Sequence, residues 1–340
     1  MHLGRSYKLT ELLTWTRWES AWLLGWSLFA TVLLDVLHWR FLSMPAPLLA
    51  VVGTAVAIVV AFKNQQCHAR VNEALVAWGQ IYGTSLIWAN KLRIAASHPD
   101  AAEAGLPIRE LFHRHFAWLT ALRFYLRERR IWENAVEAGN ARFLAGLPTP
   151  ESRSSLKDEL ATSLSEAELQ KAMTHRGDRE ALILSWQYQA VGDLHAKGLI
   201  GDSIFFMLTN ALDDLARSQG TTKRIKNNPY ARNYYSITVL LVKVFVAIVP
   251  FSLYPYFSDL GSSTGSGRWT AWLNVPFSVL VGWIFVTLEK IGENSSNPFE
   301  GSSNDIPISS ISRRIEIEMR TMLGETTDLK HIETKDDILF

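Results

Sequence analysis

Four long apolar runs, at 20–39, 45–62, 235–257 and 271–288, constrain this chain more than any other feature. Each is long enough, and poor enough in charge, to cross a hydrocarbon core of about 30 Å, which takes roughly 17–25 helical residues. Composition does not decide between spans and buried core helices, because 48% hydrophobic and 20% charged residues is close to a soluble average. Two of the runs also carry a charge, Asp35 and Lys243. Placement decides. Trp18, Trp22, Trp39, Tyr234, Tyr254, Tyr256 and Trp272 fall near the run ends, where amphipathic rings suit headgroup depth.

The short loops inside the two pairs of runs carry only Arg40 and Arg268 as basic residues. The opposite flanks carry Arg5, Lys8, Arg17, Lys63, Arg70, Lys223, Arg224, Lys226, Arg232 and Lys290. By the positive-inside rule, both termini and the long central segment are expected in the cytosol. The first run ends in Asp35, Leu37 and His38 rather than in small residues at a cleavage site, and so reads as a retained span. Cys67 is the only cysteine and falls on the reducing side. The expected class is an all-α integral membrane protein with four transmembrane helices and a helical cytosolic domain. Residues 1–19 form a cytosolic segment, 20–62 the first two spans, 63–230 the cytosolic domain, 231–289 the last two spans, and 290–340 a cytosolic segment and tail.

The central block reads as helices. Val71, Leu75, Trp78, Tyr82 and Leu86 continue the second span on one helical face. A stripe from Leu106 through Leu111, Phe112, Phe116, Leu119 and Leu122 marks a further helix, ended by Arg127, Arg129 and Arg130. Ser165 and Glu168 have the spacing of a capping box. A helix over 202–218 is expected to end at Gly220. Gly, Ser, Asn and Pro dominate 292–310, which breaks regular helix. Ile311, Ile315 and Met319 then share a helical face, and a charged, poorly packed tail follows from Glu325. No strand-like alternation or internal repeat is present.

Within the second run, Thr54, Ile58 and Phe62 are spaced by four and form a stripe that drifts by about 40° per step. Gly53, Ala55, Ala57 and Ala61 leave much of the remaining surface small. Several copies around an axis would turn the stripe into two apolar rings and one hydroxyl ring, a neck able to gate by dewetting. Lipid-facing or helix-packing roles fit the same stripe, and periodicity does not choose between them.

Two stretches resemble the bestrophin family, in particular its bacterial branch. The first is Lys63-Asn64, Arg70, Glu73-Ala74 and Trp78-Gly79, and the second is Leu288-Glu289-Lys290-Ile291-Gly292, Asn297-Pro298-Phe299 and Asn304-Asp305-Ile306-Pro307-Ile308. The resemblance implies a homopentamer around one axial pore. Counted from Lys63-Asn64, its neck falls on Phe62, Ile58 and Thr54, with threonine departing from the usual bulkier residue. The family's cytosolic aperture falls on Ile204, with Asp202 beside it; the plainer reading of Asp202 is the N-cap of its helix.

Where animal members carry an acidic run after Asn-Pro-Phe, this chain has Glu300-Gly301-Ser302-Ser303-Asn304-Asp305, and two carboxylates are few for a cation that takes six to eight oxygens. No calcium activation is expected. No charged ring marks the neck, so ion sign stays open, with chloride placed ahead of sodium. A proton-coupled transporter relaying through Asp35 and Lys243, and a membrane-anchored signalling scaffold, are the competing readings. Snorkelling or contact with the bundle interior is the plainer account of those two charges.

His113 and His115 lie about 200° apart on a helix, cannot share a metal, and read as surface histidines. No phosphate loop or nucleophile motif points to an enzyme, and no cofactor is expected. A net charge of +1 with dispersed basic residues excludes a nucleic-acid reading. The expected partners are further copies of the chain, membrane lipids and small monovalent ions, in a bacterial inner membrane.

Overall fold

A computed structural model describes residues 1–4, 9–97, 107–134, 148–264, 268–325, 328–334 and 337–340. Arg5, Lys8 and Leu106 lie outside the described residues. The helices are α1 (Leu9–Trp15), α2 (Arg17–Thr31), α3 (Ala46–Ala96), α4 (Ile108–Arg127), α5 (Leu156–Ala161), α6 (Glu166–Thr174), α7 (Arg179–Ala196), α8 (Asp202–Asn227), α9 (Arg232–Thr264), α10 (Asn274–Asn294) and α11 (Ile308–Met322). Among the described residues there is no strand, only an isolated antiparallel bridge between His2 and Ile338. The chain divides into two compact units. The larger holds Met1–Leu3, Arg70–Pro229 and Asn297–Phe340, and the smaller holds Gly4–Ala69 and Tyr230–Ser296.

Four helical stretches are long and apolar enough to cross a membrane: Arg17–Val36, Ala46–Ala96, Arg232–Ser263 and Trp269–Asn294. In the smaller unit Leu23, Val56, Val60, Val242, Phe245, Val246 and Val249 form an apolar core. Small residues allow the approach. A Cβ at Gly282 would lie 2.7 Å from Leu23 Cδ2, and one at Gly53 would lie 2.9 Å from Phe245 Cε2. Past α2 the chain makes a π-helical turn, Val32–Val36. Asp35 there is buried and accepts a hydrogen bond from Tyr254 Oη at 3.1 Å, whereas Lys243 is exposed.

In the larger unit one core gathers Trp78 and Trp88 of α3, Phe112, Trp118 and Leu122 of α4, Ile183 of α7, Leu212 and Leu215 of α8, and Ile315 and Met319 of α11. Ser165 caps α6 reciprocally: its Oγ accepts from Glu168 N at 3.4 Å, and its N–H donates to Glu168 Oε2 at 3.2 Å. The cap leaves no orphan donor on Ser165.

Four expectations are corrected. The α8 helix does not stop at Gly220 but continues to Asn227, burying Thr222, Ile225 and Lys226. That burial outweighs a glycine penalty of about 1 kcal/mol in a helix interior. Gly201 is the N-cap of α8; Asp202 is its first helical residue and approaches His195 Nε2 at 3.4 Å. The chain after Glu325 is not simply a loose tail, because Ile338 and Phe340 are buried. Leu3 N donates to Asp337 O at 2.8 Å and Ser310 N donates to Phe340 O at 2.7 Å.

The fourth correction concerns the histidines. His113 is half-buried beside Glu325 at 3.2 Å, and His115 is fully buried, its Nε2 2.9 Å from Ser85 Oγ. Burial pushes the His115 imidazole down to about 3. Its unfolded value is 6.5, so between those limits the unfolded chain binds the extra proton and stability falls as pH falls. The expected loss is roughly 1.4 kcal/mol per pH unit below about pH 6.5. Unfolding midpoints measured from pH 7 to pH 4 check this, since His115→Gln, which cannot take the proton, should show a shallower acid decline.

Candidate functional site: the open face of α3

The α3 helix has two sides within the smaller unit. Val56, Val60, Lys63 and Cys67, spaced by three and four, are buried. Thr54, Ile58 and Phe62 fall on the other side and are exposed, with Phe62 63% exposed. The 18-residue window of this helix has a mean hydropathy of 2.1, yet only 17% of it is buried within the chain. So strongly apolar a helix is left largely uncovered by its own subunit. Thr54 Oγ1 donates to Ala50 O at 2.8 Å, which satisfies its proton inside the helix.

Directly beyond Phe62 a polar cluster holds α3 from its buried side. Lys63 pairs with Glu289, their side chains 1% and 10% exposed. The Lys63 ammonium also lies 4.6 Å from the centre of the Tyr235 ring, and Tyr235 Oη donates to Glu293. Asn64 Nδ2 donates to Leu288 O at 2.9 Å. The two stretches that carry the family resemblance, 226 residues apart at Lys63 and Glu289, therefore meet in space.

A Cβ on Gly292 would fall 2.0 Å from Asn64 Oδ1. Gly292→Ala is expected to turn the Asn64 amide out of its bond and cost about 1–3 kcal/mol. A double-mutant cycle checks it. In thermal unfolding of the purified protein, Gly292→Ala should add little once Asn64→Ala is already present.

The same motifs also serve the larger unit. Arg70 donates to Ile225 O at 3.0 Å and to Asn228 O at 2.8 Å, taking up carbonyls that the C-terminus of α8 leaves without intrahelical partners. Phe299 is buried, and its carbonyl accepts from Arg127 Nη1 at 3.1 Å. The Asp305 carboxylate accepts from Gly301 N at 2.6 Å and from Ser302 N at 3.0 Å, with Arg127 Nη1 3.9 Å away. Burial, with Asp305 and Glu133 nearby, pushes Glu300 up to about 8. Ile204 is half-buried and packs against the core of the larger unit, while Asp202 beside it is exposed.

Four apolar spans around a small core, joined in sequence to a helical unit, define an all-helical multi-pass membrane protein. A family model described as "Bacterial/Fungal Bestrophin protein" matches residues 18–321, and the chain belongs to that family. Curated relatives include the "Voltage-dependent anion channel-forming protein YneE" of Salmonella typhi. It is 27% identical over 278 residues, covering 81% of this chain and 76% of the relative. The protein of the same name from Escherichia coli (strain K12) is 25% identical over 306 residues, covering 88% and 84%. A crystal structure of a bacterial bestrophin homolog from Klebsiella pneumoniae superposes with a TM-score of 0.74 at 19% identity. The match covers 91% of this chain and 99% of that one, and the two share a fold.

Proposed function

We propose that this chain is one subunit of a pentameric ion channel in which the open face of α3 lines the pore. One observation carries the reading: a helix of mean hydropathy 2.1 exposes Thr54, Ile58 and Phe62 along one side within its own subunit. Copies arranged about an axis would cover the flanks of that face and leave the stripe on the lumen. Ile58 and Phe62 would make apolar rings and Thr54 a ring that wets more readily. Ile204 and Asp202 would form the second constriction. The names of the curated relatives support anions as the permeant species, and chloride is placed ahead of sodium. Both termini would face the cytosol of a bacterial inner membrane, with lipids around the spans.

Calcium has no part in this reading. Asp305 already accepts from two backbone N–H groups and a serine hydroxyl, and Arg127 stands beside it. Glu300, pushed up to about 8 by burial, favours its neutral form at pH 7 and is a poor ligand for a hard cation.

The test is a single-channel recording from purified protein in planar bilayers under an asymmetric chloride gradient. A reversal potential near the chloride value is expected, with currents equal in chelator and in micromolar calcium. Reversal at the cation value would overturn the ion assignment, and silence from an intact oligomer would overturn the channel.

A further inference from the structure

The α7 helix ends in a turn that aims its last histidine at the start of α8. Gly198, at φ 71°, stands just past Lys197, the C-cap of α7. Its N–H donates to His195 O at 2.9 Å, and Leu199 N donates to Leu194 O at 3.0 Å, the paired bonds of a Schellman motif. The chain therefore folds back at once, and His195 meets the residues that follow it. Its half-buried ring is held from three sides. Nδ1 lies 3.2 Å from Ile200 O, the Phe205 ring stacks with its centre 4.5 Å away, and Nε2 lies 3.4 Å from Asp202 Oδ1. Asp202 is the only charged group that reaches His195 among the described residues. Asp193 and Lys197 flank it in sequence without an ion pair to it, and Lys91 of α3 donates instead to Met207 O at 2.8 Å.

This geometry fixes the protons. A carbonyl only accepts, so Nδ1 carries the hydrogen in its bond to Ile200. In the neutral ring Nε2 is then a bare acceptor facing a carboxylate, and two acceptors make no hydrogen bond. A proton on Nε2 converts the same contact into a charge-assisted bond. Both helix ends favour that ion pair, since a cation suits the last turn of α7 and an anion the first turn of α8.

We propose that His195 sets the charge of the second constriction, cancelling that of Asp202 when it takes up a proton and leaving it bare when it releases one. The assignment rests on the reading that puts Asp202 and Ile204 on the ion path. In a ring of copies the exposed Asp202 carboxylates repel anions at alkaline pH, and each protonated His195 removes one of those charges. Acidification therefore raises chloride current.

The test combines bilayer recordings with nitrogen-15 NMR of the purified full-length protein labelled at histidine. Between about pH 8 and about pH 5, where histidine changes charge, chloride permeability relative to sodium should rise about fivefold. That corresponds to about 1 kcal/mol, the effect in water of one unit charge about 4 Å from the ion. His195→Gln should stay at the alkaline level throughout, and His195→Arg at the acid level. Asp202→Asn should already show the acid level at alkaline pH. The two side chains are 37% and 83% exposed, so these variants should fold. In the NMR spectrum the His195 signal, assigned by its loss in His195→Gln, should show the Nδ1–H tautomer at alkaline pH and the doubly protonated ring at acid pH. An Nε2–H tautomer, or a pH response of the current unchanged in His195→Gln, overturns the proposal. Currents that ignore pH in a protein whose His195 titrates as described put Asp202 off the ion path, which removes the aperture reading and the proposal with it. The NMR measurement needs no current, so a failure at His195 is distinguished from a failure of the aperture.

Discussion

Replacing Lys63 with alanine is expected to destabilise the smaller unit by about 3–5 kcal/mol, because Glu289 is then left buried without its cation. The loss should be visible as disappearance of the folded peak in size exclusion and a large fall in melting temperature. Glu289→Ala should behave alike, leaving the Lys63 ammonium over the Tyr235 ring without its carboxylate. Lys63→Met combined with Glu289→Leu should recover most of the stability, since a pair of apolar side chains of similar volume carries no desolvation cost. If both single variants melt with the wild type, the pair contributes nothing and α3 is held by apolar packing and the Asn64 bond to Leu288. The rescued double variant is informative beyond stability. With the clamp behind Phe62 removed, any change in its currents would show that the clamp sets the angle at which α3 presents that residue.

The second large effect is expected in the pore. If Ile58 and Phe62 form the apolar rings proposed above, truncating either to alanine widens a constriction whose barrier is the cost of wetting it. Lowering that barrier by about 1.4 kcal/mol, near the low end of what one large apolar side chain contributes, raises current roughly tenfold. Thr54→Ala should have the smallest effect of the three, because it removes no large apolar side chain from the constriction. Single-channel recordings beside wild type measure all three. Conductance and open probability unchanged in Ile58→Ala and Phe62→Ala would place the neck elsewhere, while leaving the family membership intact.

Much of the fold was legible because the bilayer demands uninterrupted apolar helices, and those are visible in any sequence that has them. The capping box at Ser165 was legible for a similar reason, its chemistry being local. The Lys63–Glu289 clamp was not. Charges at the ends of apolar runs read as ordinary flanks, and nothing in the residues says that two of them 226 positions apart will be buried together. The one signal was that both fell in the stretches carrying the resemblance.

His115 was misread although its signal was present. Leu111, His115 and Leu119 are spaced by four, so the histidine shares the face of two leucines that are buried, and the serine that meets its Nε2 comes from another helix. The extension of α8 past Gly220 depends on Thr222 and Ile225 finding a core to enter, which no local pattern reveals. Thr54, Ile58 and Phe62 were picked out, as a proposed neck, by spacing plus resemblance. The structure adds that their side is the uncovered one.

The larger unit is assembled from separated pieces of chain, Arg70–Pro229 and Asn297–Phe340 among them. On the ribosome the first of these is finished well before the second exists. About 80 residues lie between the end of Arg70–Pro229 and the start of α11, and at roughly 5–20 residues per second their synthesis takes several seconds. For that interval Phe112, Trp118 and Leu122 wait without Ile315 and Met319, which complete their core. During the same interval α9 and α10 must enter the bilayer. Membrane insertion therefore has to precede closure of this core in time, and a nascent chain stalled just after α10 should expose apolar surface that a chaperone can hold.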